Sequence, residues 1–164
     1  MKILITGVAG FIGFNFAKYL LNKNFTIYGI DNFDDYYSIK FKVLRLKELK
    51  KKDNFFFKKV DIIKKNDLKK YFKKKNFDLI FHFAAQAGVR YSLINPKKYI
   101  KVNKEGFENI VKNSKNLKNL KRIFYASSSS VYGSRKKFPS KESSKLIPQS
   151  VYAKTKLQNE LFAK

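Results

Sequence analysis

A tyrosine and a lysine four residues apart, Tyr152 and Lys156, sit in the run Ser150-Val151-Tyr152-Ala153-Lys154-Thr155-Lys156. On a helix this spacing puts phenol and ammonium on one face, where the cation can stabilise a phenolate. A phenolate so held is a base for an alcohol proton. The same pair arises by chance on the solvated face of any lysine-rich helix, so its weight depends on what stands upstream.

Upstream, Lys2-Ile3-Leu4-Ile5-Thr6 is a short apolar run with β-branched residues that passes directly into Gly7-Val8-Ala9-Gly10-Phe11-Ile12-Gly13. A helical apolar pattern follows at Phe14, Ala17, Leu20 and Leu21, and then a second strand-like run, Phe25 to Ile30, ending in Asp31. Strand, glycine turn, helix, strand and acid is the order of a dinucleotide-binding unit. Its glycines let the backbone approach the pyrophosphate, and its helix N-terminus supplies N–H groups and a positive dipole end. An ordinary strand-to-helix turn would not need Asp31, which falls near the roughly 20-residue offset of an acid that takes the adenosine ribose hydroxyls. No arginine adjoins Asp31 in sequence, and a 2′-phosphate there would meet like charge, which favours NAD over NADP.

These residues need a sheet to position them. Strands are expected near 2–6, 25–30, 55–60, 78–83 and 122–127, separated by helices near 11–22, 37–52, 65–75, 97–118 and 150–163. That alternation predicts an α/β fold, a Rossmann-like doubly wound parallel sheet of about five strands in the order 3-2-1-4-5. Asn95-Pro96 fits a helix start, with Asn as N-cap and Pro at the first helical position. Residues 134–148 read as a loop. With no internal repeat and no linker, residues 1–164 are expected to form one dinucleotide-binding domain.

Open parallel sheets bind ligands at the carboxyl ends of their strands. Asp61 follows the third expected strand at the height of an adenine ring, or caps the next helix. His82 ends the fourth, where a lone histidine is expected to be structural, and small residues follow it. Ser127-Ser128-Ser129-Ser130 ends the fifth, and a serine hydroxyl beside Tyr152 could hydrogen-bond a reacting alcohol.

The chain has no cysteine, which excludes a disulfide framework, a thiolate metal site and a cysteine nucleophile; its single histidine cannot anchor a metal cluster. No metal is expected. Strand-forming sequence from residue 2 leaves no room for a signal peptide, and the apolar stretches are too short to span a bilayer, so a cytoplasmic protein is expected. The formal net charge is +25, yet only four of the 37 basic residues are arginine, the residue that groove and phosphate recognition favours. The lysines are dispersed, as at Lys50 to Lys52, Lys64-Lys65, Lys73 to Lys75 and Lys136-Lys137. They read as solvated surface that attracts polyanions without specificity and helps recruit an anionic substrate, with no specific nucleic-acid partner expected.

Taken together, the motifs resemble the N-terminal part of the extended short-chain dehydrogenase/reductase family, the NAD-dependent sugar-nucleotide epimerases and dehydratases. Gly7, Gly10 and Gly13, with Phe11 and Ile12 between them, match that family's cofactor turn, and Asp31-Asn32 and Asp61-Ile62 match its adenosine contacts. The resemblance implies cofactor-lining roles for Phe83, Ala84, Ala85 and Asn103, and a Ser-Tyr-Lys catalytic set of Ser128, Tyr152 and Lys156. Within the family, the stretches His82 to Ser92 and Tyr125 to Gly133 are most similar to the UDP-glucuronate 4-epimerases. Related 4,6-dehydratases carry an acidic pair after the catalytic Ser/Thr, where this chain has Ser129 and Ser130. The resemblance therefore implies epimerisation at C4 by transient oxidation and re-reduction on NAD. Arg90 and Ser129 are candidate substrate contacts, Arg90 for a carboxylate or phosphate, with a plain surface role for Arg90 equally open.

Members of that family continue past the corresponding point with further strands and a lobe that grips the nucleotide sugar. The expectation is thus an incomplete domain whose sheet ends in an open edge, partnered by a nucleotide-sugar substrate such as a UDP-hexuronate, and by a second copy or a complementing C-terminal chain. Two other readings stay open: an inactive NAD-binding or interaction module, and another nucleotide-sugar epimerase or dehydratase.

Overall fold

A computed structural model describes residues 1–73, 75–134 and 139–164. Lys74, inside the expected helix 65–75, and residues 135–138, inside the expected loop 134–148 and including Lys136-Lys137, lie outside the described residues. The chain groups into two compact units: Met1–Ala84 with Asn109–Tyr125, and Ala85–Glu108 with Ala126–Lys164.

The first unit is built on five strands, β1 (Lys2–Thr6), β2 (Thr26–Asp31), β3 (Phe55–Lys59), β4 (Leu79–His82) and β5 (Arg122–Tyr125). All pairings are parallel and the order is β3-β2-β1-β4-β5, as expected from the βαβ alternation. Central β1 is apolar at Ile3, Leu4 and Ile5, which are at most 1% exposed, because a parallel strand is covered on both faces. On one face Ile3, Ile5 and Ile27 pack with Ala17, Leu20 and Leu21 of α1 (Phe11–Leu21) and with Leu46 and Leu49 of α2 (Ile39–Leu49). Each such fully buried aliphatic side chain contributes about 1.5–3 kcal/mol. Leu4 and its register partner Ile80 turn to the opposite face by the two-residue period of a strand. The helix α3 (Lys65–Phe72) buries Leu68 and Phe72. Strand β2 runs one residue further than expected, so Asp31 is its last residue.

In the second unit a short helix α4 (Tyr91–Ile94) precedes the helix expected over 97–118, which is present as three consecutive segments: α5 (Pro96–Tyr99), a π-helical stretch Ile100–Glu105, and α6 (Gly106–Ser114), whose end belongs to the first unit. Asn95 separates α4 from α5. A residue before proline is pushed out of helical geometry, and Asn95 sits at φ −127° and ψ 64°. Its side chain then accepts from Lys98 N, capping α5 with Pro96 at the first position as the sequence suggested. A short 3-10 turn, Ser129–Tyr132, precedes α7 (Val151–Ala163), which packs on α4, α5, the π-helical stretch and that turn. Ser150 caps α7 by accepting from Ala153 N at 3.1 Å. The described residues of 139–148 form no helix or strand.

Candidate functional site

The first unit holds the residues expected at the cofactor. Gly7 N donates to Ile30 O at 2.8 Å and Gly10 N to Gly7 O at 3.0 Å, which folds the turn at the carboxyl ends of β1 and β2. Gly7 has φ +70°, and a Cβ there would lie 2.8 Å from Ala84 N. A Cβ at Gly13 would run into Gly7 O. The turn therefore exists only with glycine at both places, and the backbone it bares is the kind a pyrophosphate approaches. Gly10 caps α1 without a side-chain hydrogen bond, so the positive helix end carries no built-in acceptor. Phe11 and Ile12, the first residues of α1, are 72% and 59% exposed.

Asp31 is held by two backbone donors, Ala9 N to Oδ2 at 3.1 Å and Phe33 N to Oδ1 at 2.8 Å. Asn32 Nδ2 donates to Asp61 Oδ2 at 3.2 Å, which joins the two expected adenosine-contact pairs. Asp61 does not cap α3. Its Oδ1 accepts from Ile63 N two residues on, and Lys64 stands at the cap position with no side-chain bond. Ile62 is buried, and its carbonyl accepts from Asn109 Nδ2 at 3.0 Å. His82 is structural, as expected: Nδ1 pairs with Thr6 Oγ1 at 2.9 Å, and the same hydroxyl accepts from Ala84 N. Phe83 packs edge-on against Phe16.

The second unit holds the expected catalytic set. Lys156 is 5% exposed and its Nζ donates to Ala126 O at 2.8 Å, while standing 5.8 Å from the centre of the Tyr152 ring. Burial pulls the Lys156 ammonium down from 10.5 to about 8. Tyr152 is half-buried and meets the Tyr99 ring edge-on at 6.3 Å. Ser128 caps the 3-10 turn, its Oγ accepting from Ser130 N at 3.2 Å and lying 2.8 Å from Ser130 Oγ. Ser127 Oγ donates to Glu160 of α7. Arg90 and Ser129 are exposed, and Ala85 is half-buried.

Asn103 occupies the π-helical stretch, a geometry frequent at functional sites. Its side chain is fully used within the protein: Oδ1 accepts from Gln86 N at 2.7 Å, and Nδ2 donates to Gln86 O at 3.1 Å and Thr155 Oγ1 at 3.3 Å. Thr155 in turn donates to Tyr152 O. Asn103 thus ties the segment after β4 to the helix bearing Tyr152. The amide Nε2 of Gln86 is buried and finds no hydrogen-bond partner among the described residues.

A family model described as GDP-mannose 4,6 dehydratase matches residues 4–164. The chain belongs to this family. It is 46% identical over 164 residues to Protein CapI of Staphylococcus aureus, spanning 99% of this chain and 48% of that protein. It is 40% identical over 161 residues to the UDP-glucuronate 4-epimerase of Thermodesulfobacterium geofontis, spanning 98% and 49%. The crystal structure of UDP-glucuronic acid 4-epimerase from Bacillus cereus in complex with UDP-glucuronic acid and NAD superposes with a TM-score of 0.89 at 34% identity, over 98% of this chain and 50% of that one. The chain spans about half the length of the curated relatives it matches.

For this family member, three features escaped a reading of motifs. Gln86 and Thr155 were unmarked because their role is to meet Asn103, and Glu160 because Ser127 lies far from it in sequence. Lys42 and Arg45 of α2 reach toward the Asp31 region, with Arg45 Nη1 donating to Ala9 O at 3.2 Å. Arg45 thus reaches the residue whose N–H meets Asp31, from 14 positions further along the chain. A signal did exist: Lys42 shares the helical stripe of Leu46 and Leu49, where a lysine has to find a partner.

Proposed function

We propose that the protein supplies the NAD-binding and catalytic residues of a nucleotide-sugar 4-epimerase acting on a UDP-hexuronate of the glucuronate/galacturonate type. The observation that supports it most is the buried Lys156 amine below the Tyr152 ring on α7. The glycine cradle, which a Cβ at Gly7 or Gly13 would fill, suits a dinucleotide. Gly7, Gly10 and Gly13 with the α1 N-terminus would hold its pyrophosphate, Asp31 and Asn32 its adenosine ribose, and Asp61 and Ile62 its adenine. NAD, when bound, supplies a reversible hydride acceptor.

In this reading Tyr152 takes the proton of the sugar C4 hydroxyl and returns it after the opposite face of C4 has been presented. Lys156, as a cation, supports the phenolate and orients the nicotinamide ribose. Ser128 shares the C4 hydroxyl with Tyr152. The protein is read as cytoplasmic; no helix among the described residues is long and apolar enough to cross a membrane.

Dehydration is the second reading, favoured by the matching family model. Against it, Ser129 and Ser130 offer no carboxyl group to the elimination of water. Incubating the protein with NAD and UDP-glucuronate, then separating the products, tests both. UDP-galacturonate of unchanged mass is expected. A product lighter by one water would favour dehydration, and no binding of NAD would overturn both readings.

A further inference from the structure

Asp31 is buried to 7% exposure, and each carboxylate oxygen already accepts one backbone N–H, from Ala9 and from Phe33. The orientation of the acid is thus set by where two loop segments sit. Both segments are gripped from α2. Arg45 Nη1 donates to the carbonyl of Ala9, whose N–H meets Asp31, and Lys42 Nζ donates at 2.7 Å to the carbonyl of Asp34, one residue past Phe33. Phe33 has φ +62°, a strained value for a bulky residue, so this segment needs such a restraint. Lys42 is 8% exposed, and the Arg45 guanidinium lies 5.9 Å from the Phe11 ring centre at the start of α1. Neither cation makes an ion pair among the described residues. Both are spent on backbone carbonyls flanking a single acid.

We propose that Arg45, seconded by Lys42 one turn earlier on α2, is a positioning residue that fixes the Asp31 carboxylate for the ribose hydroxyls of an adenine nucleotide. The assignment rests on the NAD reading above and adds to it a part of the site outside the glycine motif. An arginine suits the task because its planar fork holds a carbonyl in one direction, whereas a lysine acts as a point charge. Arg45 acts on the 2′-hydroxyl through Asp31, so its loss should erase discrimination at that hydroxyl and spare contacts made by phosphate alone.

The test is calorimetric titration of the purified protein with ADP and with 2′-deoxy-ADP, which carry the same phosphates. The wild type is expected to prefer ADP by about tenfold, the worth of one hydrogen bond to a charged group. In Arg45→Met, which keeps the stem and loses the fork, ADP should weaken about tenfold and 2′-deoxy-ADP little, so that the preference falls to about unity. Arg45→Lys and Lys42→Met should each lower the preference part-way; if Arg45→Met does not fold, Arg45→Lys decides. Equal weakening of both nucleotides would mean a direct phosphate contact or a purely structural role, and an unchanged preference would mean no role; either overturns the assignment. A wild type that binds neither ADP nor NAD would instead overturn the NAD reading itself.

Discussion

The two units organise their chemistry by different means. In the first, backbone does most of the placing: glycines strip side chains from the turn, and Asp31 is oriented by two peptide N–H groups. In the second, side chains do most of the placing: Asn103 grips the Gln86 backbone and the Thr155 hydroxyl, Glu160 takes Ser127, and the Lys156 amine takes Ala126 O. A backbone-built site fails when one residue gains an atom. A side-chain-built site fails when one residue loses a partner.

The largest expected effect tests the second unit's chemistry. Tyr152→Phe should lower epimerase turnover by about 10²–10⁴, the usual worth of a positioned general acid/base, and leave the NAD dissociation constant within about twofold. A Tyr152→Phe protein that turns over UDP-glucuronate at a near-normal rate would remove the base from the proposal. Next comes the first unit's intolerance of added atoms. Gly7→Val places a β-branched residue at φ +70° and its Cβ against Ala84 N, so a loss of about 2–4 kcal/mol in urea unfolding and of NAD binding is expected. Normal stability in that variant would show that the turn yields.

Asn103→Ala removes a partner instead. It leaves the Gln86 N–H and carbonyl unpaired in a buried site, at about 1–3 kcal/mol in urea unfolding. Asn103→Asp keeps the acceptor for Gln86 N and should recover part of that loss.

The smallest effect is a slope. Lys156 titrates near 8 when folded against 10.5 ordinarily, so between those values the unfolded chain holds a proton that the folded chain lacks. This group's contribution to stability therefore rises with pH across that window, and below about 8 its burial penalty is felt in full. Lys156→Met should flatten the rise, read from urea midpoints at pH 7 to 10. If the protein turns over UDP-glucuronate as proposed, wild-type turnover should move the opposite way, falling above about pH 8 as the supporting cation is lost. A stability profile identical in Lys156→Met and wild type would mean that the amine is not desolvated.

The same contrast explains what could be read along the chain. Strand order, the glycine turn and Asp31 are legible because each rests on local pattern: β1 is an unbroken apolar run, and Gly7, Gly10 and Gly13 keep a short fixed spacing. The pairing of Asn103 with Gln86, of Lys156 with Ala126 and of Arg45 with Ala9 joins residues 17, 30 and 36 positions apart, and no periodicity signals such meetings. The helix expected over 97–118 is present, and its start at Asn95-Pro96 was legible, while the π-helical stretch inside it depends on what Asn103 must reach.

That turn bears on how the chain tolerates changes in length. A π-helical stretch fits one more residue into a helix than α-helical winding would, and Tyr99, Asn103 and Phe107, all at most 1% exposed, line up across it. Shortening Ile100–Glu105 by one residue would return the stretch to regular winding and turn Asn103 away from Gln86, with every side chain's chemistry unaltered. Substitutions along this stretch change what a residue is, but a one-residue deletion changes the phase of the helix, and natural or engineered variants should conserve its length more strictly than its composition.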